Sequence, residues 1–259
     1  MIYVGIGGWV FEEWRGSFYP KGLPQKRELE YASRHLTAIE INGTYYGSQK
    51  PESFGKWRDG TPDGFVFSLK GPRFATNRRV LAEAGDSITR FFDSGVTELK
   101  EKLGPVNWQF MATKKFDAVD FAAFLKLLPR KVDGQAIRHV VEVRHDSFKD
   151  KAFIDLCRKE NVGIVFAADS EFPLIADVTT DFIYARIMGT STKEKAGYPA
   201  AQLKTWAERA RDWADGNSPK ASMLLAPPAP KKKRDVFLFV ISGAKEKNPA
   251  AAQAIIAAL

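Results

Sequence analysis

The sequence predicts an α/β fold of the (β/α)8 TIM-barrel type, with residues 1–259 forming one domain. Eight apolar β-type runs alternate with helical segments at spacings of roughly 25 to 40 residues, and eight strands favour a closed barrel over an open doubly wound sheet. The length of 259 residues and the apolar content of 44% suit one barrel of about 250 residues. Two domains of half that length would also fit, but no Pro/Gly/Ser-rich linker lies near the middle of the chain.

The predicted strands are short runs rich in β-branched and aromatic residues. The first, 2–7, places Ile2, Val4 and Ile6 on one face and glycines on the other, which leaves room close to the backbone. The other seven predicted strands, in chain order, are 37–42, 65–70, 107–111, 138–144, 162–168, 182–187 and 235–241.

The predicted helices fill the intervals between these strands. The longest, 86–103, carries apolar residues at helical spacing and is expected to stop at Gly104-Pro105, because proline cannot continue a helix. Segment 51–57 begins with proline, which is favoured at the first position of a helix. The remaining predicted helices are 26–35, 116–128, 149–160, 198–214 and 249–259.

The charge balance favours anionic partners. Lys and Arg outnumber Asp and Glu by 39 to 31, which gives a net charge of +8 and a pI near 9.4. Part of the excess is the run 231–234, which follows a proline-rich segment and is more typical of a solvated loop than of a nucleic-acid contact. Cys157 is the only cysteine, so a disulfide within the chain and a cysteine-rich metal site are both excluded.

The chain shows no membrane or export signal. No stretch approaches the roughly 20 apolar residues of a membrane span, and the N-terminus enters a strand without a charged n-region and an apolar h-region. We therefore expect a soluble, cytoplasmic protein without membrane partners. The sequence does not predict an oligomeric state.

The second predicted strand carries a carboxylate in an apolar setting. Successive residues of a strand point to opposite faces, so Ile39 and Ile41 share one face while Ala38, Glu40 and Asn42 share the other. An isolated buried carboxylate is costly. Glu40 is therefore expected to be paired, hydrogen-bonded, metal-bound or used in chemistry.

The same layout recurs at the ends of six predicted strands. Parallel strands of a barrel end at one mouth, where sites form, so these polar side chains are expected to meet there. A network of internal salt bridges without a ligand is the alternative interpretation. The residues are Glu40, Asn42, Lys70, Gln109, Glu142, Arg144, Asp169 and Arg186.

These residue types indicate an anion site with acid–base groups. Lys70, Arg144 and Arg186, helped by Arg73, would bind phosphate or carboxylate. The predicted catalytic residues are Glu40, Glu142 and Asp169, which would exchange protons or hold a hard cation such as Mg²⁺. No other cofactor is indicated, because the Walker A, dinucleotide and Gly-x-Ser-x-Gly motifs are all missing. The predicted substrate contacts also include Trp9, Asn42, Tyr45, Gln109 and Tyr184.

Two further features leave their interpretation open. The loop 8–20 contains five aromatic residues, which would either cover a pocket or form a satellite core cluster. His145 follows Arg144 at the predicted mouth, but successive side chains alternate, so His145 should face away from Arg144. This favours a hydrogen bond within the loop, or to a residue that itself contacts the ligand, over an acid–base role. Zinc is disfavoured, because two of the three histidines, His35 and His139, fall at the opposite end of the predicted barrel.

Several motifs in fixed order resemble the DUF72 (YecE-like) family over nearly the whole chain. They are Gly7-Gly8-Trp9, 14–20, the run 40–46 that contains Glu40 and Tyr45, 67–70 ending in Lys70, 103–105 with Gln109, 142–144, and 184–186. The resemblance implies a TIM barrel and, since the family is uncharacterised, very little about activity. The chain departs from the family pattern at Thr76-Asn77 and at Ser242-Gly243-Ala244, which raises the hypothesis of a changed substrate or lost activity.

Two function classes follow. The first is an enzyme, a hydrolase or an isomerase, that acts on an anionic small molecule such as a phosphate ester or sugar derivative through acid–base or Mg²⁺-assisted chemistry. The second is a non-enzymatic barrel that binds nucleic acid through its positive charge and aromatic loop. A barrel that binds a metabolite without transforming it fits the same residues.

Overall fold

The computed structural model describes residues 1–259, and its eight parallel strands close into a barrel. Each strand pairs in parallel with its neighbours in the order β1-β8-β7-β6-β5-β4-β3-β2, and β2 returns to β1. The predicted (β/α)8 fold is confirmed. The strands are β1 Ile2–Gly7, β2 Ala38–Ile41, β3 Val66–Lys70, β4 Leu103–Gln109, β5 His139–Glu142, β6 Gly163–Ala168, β7 Phe182–Ile187 and β8 Asp235–Val240.

Helices cover the outside of the barrel, and only the connection between β6 and β7 lacks one. None of them is both long and apolar enough to cross a membrane. The α-helices are α1 Glu28–His35, α2 Gly43–Tyr46, α3 Pro51–Asp59, α4 Arg73–Thr76, α5 Gly85–Asp93, α6 Ala118–Leu127, α7 Lys151–Lys159, α8 Ala200–Ala214 and α9 Asn248–Ala258. Short 3-10 helices cover Glu12–Trp14, Gln25–Arg27, Leu81–Glu83, Val96–Lys102, Asp146–Phe148, Ala221–Met223 and Lys245–Lys247, and a two-stranded hairpin pairs Lys131–Val132 with Gln135–Ala136.

The long helix predicted for 86–103 is wrong. Helix α5 ends at Asp93, Gly95 takes a left-handed φ of 92°, and the 3-10 segment that follows to Lys102 is broken at Lys100, where φ is 50° and ψ is −128°. Gly104 and Pro105 do not stop a helix but lie inside strand β4, where the pairing with β3 is irregular. A Cβ on Gly104 would lie 2.6 Å from Val66 Cγ1, so the close approach of the two strands requires glycine.

The strand alternation separates two apolar regions. Residues of one parity, such as Ile39 and Ile41, pack in the large core between the strands and the helices. Residues of the other parity, such as Ala38 and Phe237, fill the barrel interior. Glu40 shares the parity of Ala38, so its carboxylate points into the barrel, as the sequence predicts.

Candidate functional site

A guanidinium between two buried carboxylates lies at the centre of the barrel mouth. Glu40 on β2 and Glu142 at the end of β5 are both 0% exposed. Arg186 on β7 donates from Nη2 to Glu40 Oε1 at 3.2 Å and from Nη1 to Glu142 Oε2. Each charge thereby gains a partner that offsets the cost of its removal from water.

Two neutral side chains hold the same carboxylates. Tyr184 donates its hydroxyl to Glu40 Oε2 at 2.5 Å. Asn107 donates from Nδ2 to Glu142 Oε2 at 3.2 Å and to Glu40 Oε2 at 3.4 Å. Sequence reasoning missed Asn107, although it lies two residues before Gln109 on the same strand and therefore on the same face.

Two more cations lie above this buried layer. Arg144 donates from Nε and Nη2 to Glu142 Oε1 at 2.8 and 2.6 Å. Gln109 accepts on Oε1 from Lys70 Nζ at 2.5 Å and from Arg144 Nη2 at 2.8 Å. Lys70 is 8% exposed and the Arg144 side chain 21%, so cations and not carboxylates face the mouth. We refer to these eight residues as the polar cluster: Glu40, Lys70, Asn107, Gln109, Glu142, Arg144, Tyr184 and Arg186.

The electrostatics of the buried layer favour its charged form. Burial raises the pKa of Glu142, but Arg186, Arg144 and Lys70 outweigh burial and hold this pKa at about 2. Burial lowers the pKa of Arg186, and the two glutamates more than reverse that effect, so the pKa of Arg186 is raised. At neutral pH Glu142 is an anion and Arg186 a cation.

Lys70 is the exception in the polar cluster. Its Nζ has no carboxylate oxygen within 4.0 Å and donates only to the neutral amide of Gln109. Burial, followed by the repulsion of Arg186, lowers the pKa of Lys70 to about 8. The polar cluster contains two carboxylates and three cations, so it carries one positive charge in excess.

Aromatic rings flank Lys70 and Arg144. The amino group of Lys70 lies 5.4 Å from the ring centroid of Tyr45. The guanidinium of Arg144 lies 4.2 Å from the ring centroid of Phe172, which comes from the loop between β6 and β7. No periodic pattern or motif in the sequence indicates that Phe172 contacts Arg144.

Asp169 lies apart from the polar cluster. The residue takes a left-handed φ of 54°, is exposed, and accepts from Gln202 Nε2 at 3.4 Å. Five strands and not six therefore supply the polar cluster, because the Asp169 carboxylate bonds to Gln202 and Tyr198 and not to any member of the cluster. This result corrects the expectation that Asp169 meets Glu40 and Glu142.

Arg73 also lies apart from the polar cluster. It is exposed, and its guanidinium lies 5.7 Å from the ring centroid of Tyr46 and 5.4 Å from that of Phe74. Arg73 makes no hydrogen bond or salt bridge to the polar cluster, so its predicted help in binding an anion with Lys70 stays a prediction. Instead, Arg73 and the two rings make a separate exposed surface on helices α2 and α4.

The aromatic loop 8–20 packs against the outside of the barrel. The Trp9 ring makes edge contacts with Trp57 and with Phe67, whose parity points it away from the interior. Trp14 and Tyr19 are buried in the outer core. The loop is thus a core cluster and not a cover over the mouth, and Trp9 does not line the mouth.

The remaining predicted residues lie near the rim. Asn42 is half-buried, and a Cβ on Gly7 would lie 2.8 Å from its Nδ2, so glycine at position 7 leaves room for the amide. Tyr45 donates to Asn77 Oδ1 at 3.5 Å. His145 Nδ1 accepts from the Ser147 amide at 3.1 Å, which confirms the predicted loop hydrogen bond.

The polar cluster does not fit a metal ion shared by its two glutamates. No group of three or more His, Cys, Asp or Glu side chains is arranged to hold a metal. The guanidinium of Arg186 already lies between the oxygens of Glu40 and Glu142 that a bridging Mg²⁺ would require. We therefore assign no step to Mg²⁺.

Comparisons with known proteins agree on a family. The family model described as "Protein of unknown function DUF72" matches residues 3–259. The UPF0759 protein YecE of Escherichia coli K12 is 31% identical over 151 residues, covering 57% of this chain and 50% of YecE. The UPF0759 protein YunF of Bacillus subtilis is 29% identical over 115 residues, covering 42% and 40%. The matches therefore span about half the length of these curated relatives or less.

Solved structures agree with the fold. A DUF72 family protein of Thermotoga maritima superimposes with a TM-score of 0.72 at 22% identity, covering 99% of this chain and 97% of that one. A DUF72 family protein of Enterococcus faecalis gives 0.73 at 16% identity, with coverages of 100% and 95%. SacUVDE gives 0.56 at 11% identity, with coverages of 99% and 98%. At such low identities these matches identify the barrel and not its chemistry.

Proposed function

Because this chain belongs to the DUF72 family, whose description states no activity, we propose its function from the geometry of the barrel mouth. The protein is an enzyme that acts on a small anionic molecule bearing a phosphate or carboxylate group. Lys70 is its acid–base group and, with Arg144, its anion-binding group. The observation that carries this proposal is the buried, unpaired Lys70 amine with a pKa of about 8.

A lysine with this pKa can exchange protons near neutral pH. In the protein without substrate, the lowered pKa brings the Lys70 amine closer to neutral pH, where it can both accept and donate a proton. Gln109 fixes the amine through a 2.5 Å hydrogen bond. These properties support hydrolysis or isomerisation by proton transfer at a position next to the bound anion.

The excess charge supports an anionic substrate. The oxygens of a phosphate or carboxylate would neutralise the one unpaired positive charge of the polar cluster. Arg144 still has accessible surface, and its planar guanidinium suits such a group. Tyr45 and Phe172 would cover the sides of the substrate next to these cations.

The two glutamates are positioning residues in this proposal. Glu142 is ionised at neutral pH and orients Arg144 and Arg186, while Glu40 orients Arg186 and Tyr184. Both are fully buried beneath the accessible cations. Asp169 is exposed and has no part in the proposed mechanism.

A salt-bridge network without a ligand accounts for only part of the polar cluster. It accounts for Glu40, Glu142 and Arg186, whose charges are paired directly. It does not account for Lys70, whose charge is buried without a carboxylate partner at a cost in stability. A bound anion would supply the missing partner.

The test is a screen of phosphorylated and carboxylated metabolites by thermal shift, followed by turnover assays on the compounds that bind. We expect Lys70→Met to lower turnover by about 10²–10⁴-fold, the usual contribution of an acid–base group. Lys115→Met, at an exposed lysine outside the polar cluster, is the matched control and should behave like the wild type. Turnover that survives Lys70→Met would contradict this function, as would a screen without any anionic ligand.

A second candidate function, binding of single-stranded nucleic acid, is favoured by one observation. Tyr46 and Phe74 are 64% and 60% exposed and flank Arg73, an arrangement on which unpaired bases stack. The basic run 231–234 gives no support, because it directly precedes β8 and so lies at the opposite end of the barrel. Affinity for oligonucleotides that is unaffected by Phe74→Ala, or does not weaken with salt, would exclude this function.

A further inference from the structure

A cavity of about 360 Å³ lies between helices α2, α4 and α5, and we refer to it as the α5 cavity. Only two of its twelve lining residues are hydrophobic, Phe74 and Phe91. None of the twelve belongs to the polar cluster. The volume falls at the lower end of the roughly 300–1,000 Å³ typical of ligand pockets, which suits a molecule the size of a phosphorylated sugar.

Two arginines without carboxylate partners face the α5 cavity. Arg78 donates from Nε to the Phe74 carbonyl at 3.0 Å and from Nη2 to Ser87 Oγ at 3.3 Å, which fixes its guanidinium. Arg90 lies three residues after Ser87 on α5 and lines the same cavity. Neither arginine has a carboxylate oxygen within 4.0 Å, although Asp86 also lines the cavity.

We propose that the α5 cavity is a second anion-binding site, which takes the phosphate group of a small phosphorylated molecule. Two guanidiniums and the hydroxyls of Ser48 and Ser87 supply donors of the kind that bind a tetrahedral phosphate. The apolar surface of Phe74 and Phe91 would contact the remainder of the ligand. With two arginines and one aspartate, the lining carries one positive charge in excess.

Helix α2 separates this site from the barrel mouth. Thr44 lines the α5 cavity and donates its hydroxyl to the backbone carbonyl of Lys70 at 2.7 Å. The next residue, Tyr45, lies beside the Lys70 amino group. The two anion sites therefore share a wall but no charged side chain, so each can be removed without loss of the other.

The test is titration calorimetry with inorganic phosphate on the full chain. We expect Arg78→Gln and Arg90→Gln each to weaken phosphate binding at the α5 cavity by about tenfold or more, the usual effect of a lost charge-assisted hydrogen bond. Arg79→Gln is the matched control, because this neighbouring arginine is exposed and does not line the cavity. Lys70→Met should leave this binding event unchanged, whatever happens at the mouth.

A second variant keeps the test independent of the arginines. Ser48→Phe should fill the α5 cavity and abolish the binding event while Arg78 and Arg90 stay in place. Thermal unfolding of each variant identifies any that fail to fold. The proposal is overturned if the two arginine variants and Ser48→Phe bind phosphate as Arg79→Gln does, or if Lys70→Met alone abolishes all phosphate binding.

Discussion

The two ends of the barrel interior are filled by different kinds of side chain, aromatic at one end and charged or polar at the other. Near the N-terminal ends of the strands, Tyr3 and Phe237 stack with ring centroids 5.0 Å apart, and Phe182 packs edge-on against Phe237 at 6.0 Å. At the C-terminal ends, the interior is filled by the ionised polar cluster around Glu142 and Arg186. The same alternation of side chains builds both layers, and only the residue types differ.

The two layers are expected to contribute unequally to the stability of the protein. An aromatic layer is stabilised by burial of apolar area, about 25 cal/mol per Å². A buried ion-pair layer is often no more stable than well-packed apolar residues of similar volume. The polar layer therefore calls for an explanation beyond stability, and the proposed anion site supplies one.

The largest effect should come from Glu142→Gln. The substitution leaves the buried Arg186 and the partly buried Arg144 with one carboxylate fewer, so we expect the free energy of unfolding to fall by about 3–5 kcal/mol. Urea denaturation measures the change. Tyr3→Phe in the aromatic layer is the control, with an expected loss below about 1.5 kcal/mol. Equal losses in the two layers would break the comparison.

Acid should weaken the polar layer selectively. The pKa of Glu142 is about 2 in the folded protein and 4.5 in the reference state, so its contribution to stability is present above pH 4.5. As the pH falls from 4.5 through 2, the free energy of unfolding should decrease by about 3 kcal/mol. Denaturation curves across this range, compared with those of Glu142→Gln, isolate the effect. A variant with the same acid dependence as the wild type would contradict the assignment.

A smaller effect of the opposite sign is expected for Lys70→Met. The pKa of Lys70 is lowered from 10.5 to about 8 on folding, so the buried charge reduces stability below pH 8, and this cost fades as the pH rises to 10.5. Methionine should therefore raise the free energy of unfolding by about 1–3 kcal/mol at pH 7, with a smaller gain above pH 10. Denaturation at the two pH values checks this. Destabilisation at pH 7 would show that Lys70 stabilises the polar cluster.

The smallest effect is expected for Asp169→Asn, which marks the boundary of the polar layer. Because Asp169 is exposed and its polar contacts are with the side chains of Gln202 and Tyr198, the free energy of unfolding should change by less than about 0.5 kcal/mol. Turnover of any substrate found should also stay within about twofold of the wild type. A loss of turnover comparable to that of Lys70→Met would show that Asp169 belongs to the functional site.

Much of the polar cluster could be predicted because strand alternation is local. Glu40, Glu142 and Arg186 were placed by parity alone, since successive residues of any strand face opposite sides. Their convergence needed only the rule that parallel strands of a barrel end at one mouth. The family model matches the family that the motifs resemble, and the closed barrel is the fold that the strand pattern predicts.

Other features depend on backbone turns and neighbours that the sequence does not display. Asp169 takes a left-handed conformation and bonds to Gln202 instead of the polar cluster, and Gly104 and Pro105 lie inside β4, where the pairing with β3 is irregular. The Trp9 ring contacts Phe67 on the outer face of β3 and does not lie above the barrel. In each case, contacts between residues distant in the chain decided between local conformations of similar free energy.

The barrel, its alternating faces and the ionic character of its mouth could be predicted from the sequence, because they depend on periods of two and 3.6 residues and on residue type. The pairing of the charges is seen only in the folded protein. There, Arg186 donates to both glutamates, Lys70 donates only to the amide of Gln109, and the α5 cavity shares no residue with the polar cluster. Pairing depends on distances of a few ångströms across strands, which a linear pattern does not contain.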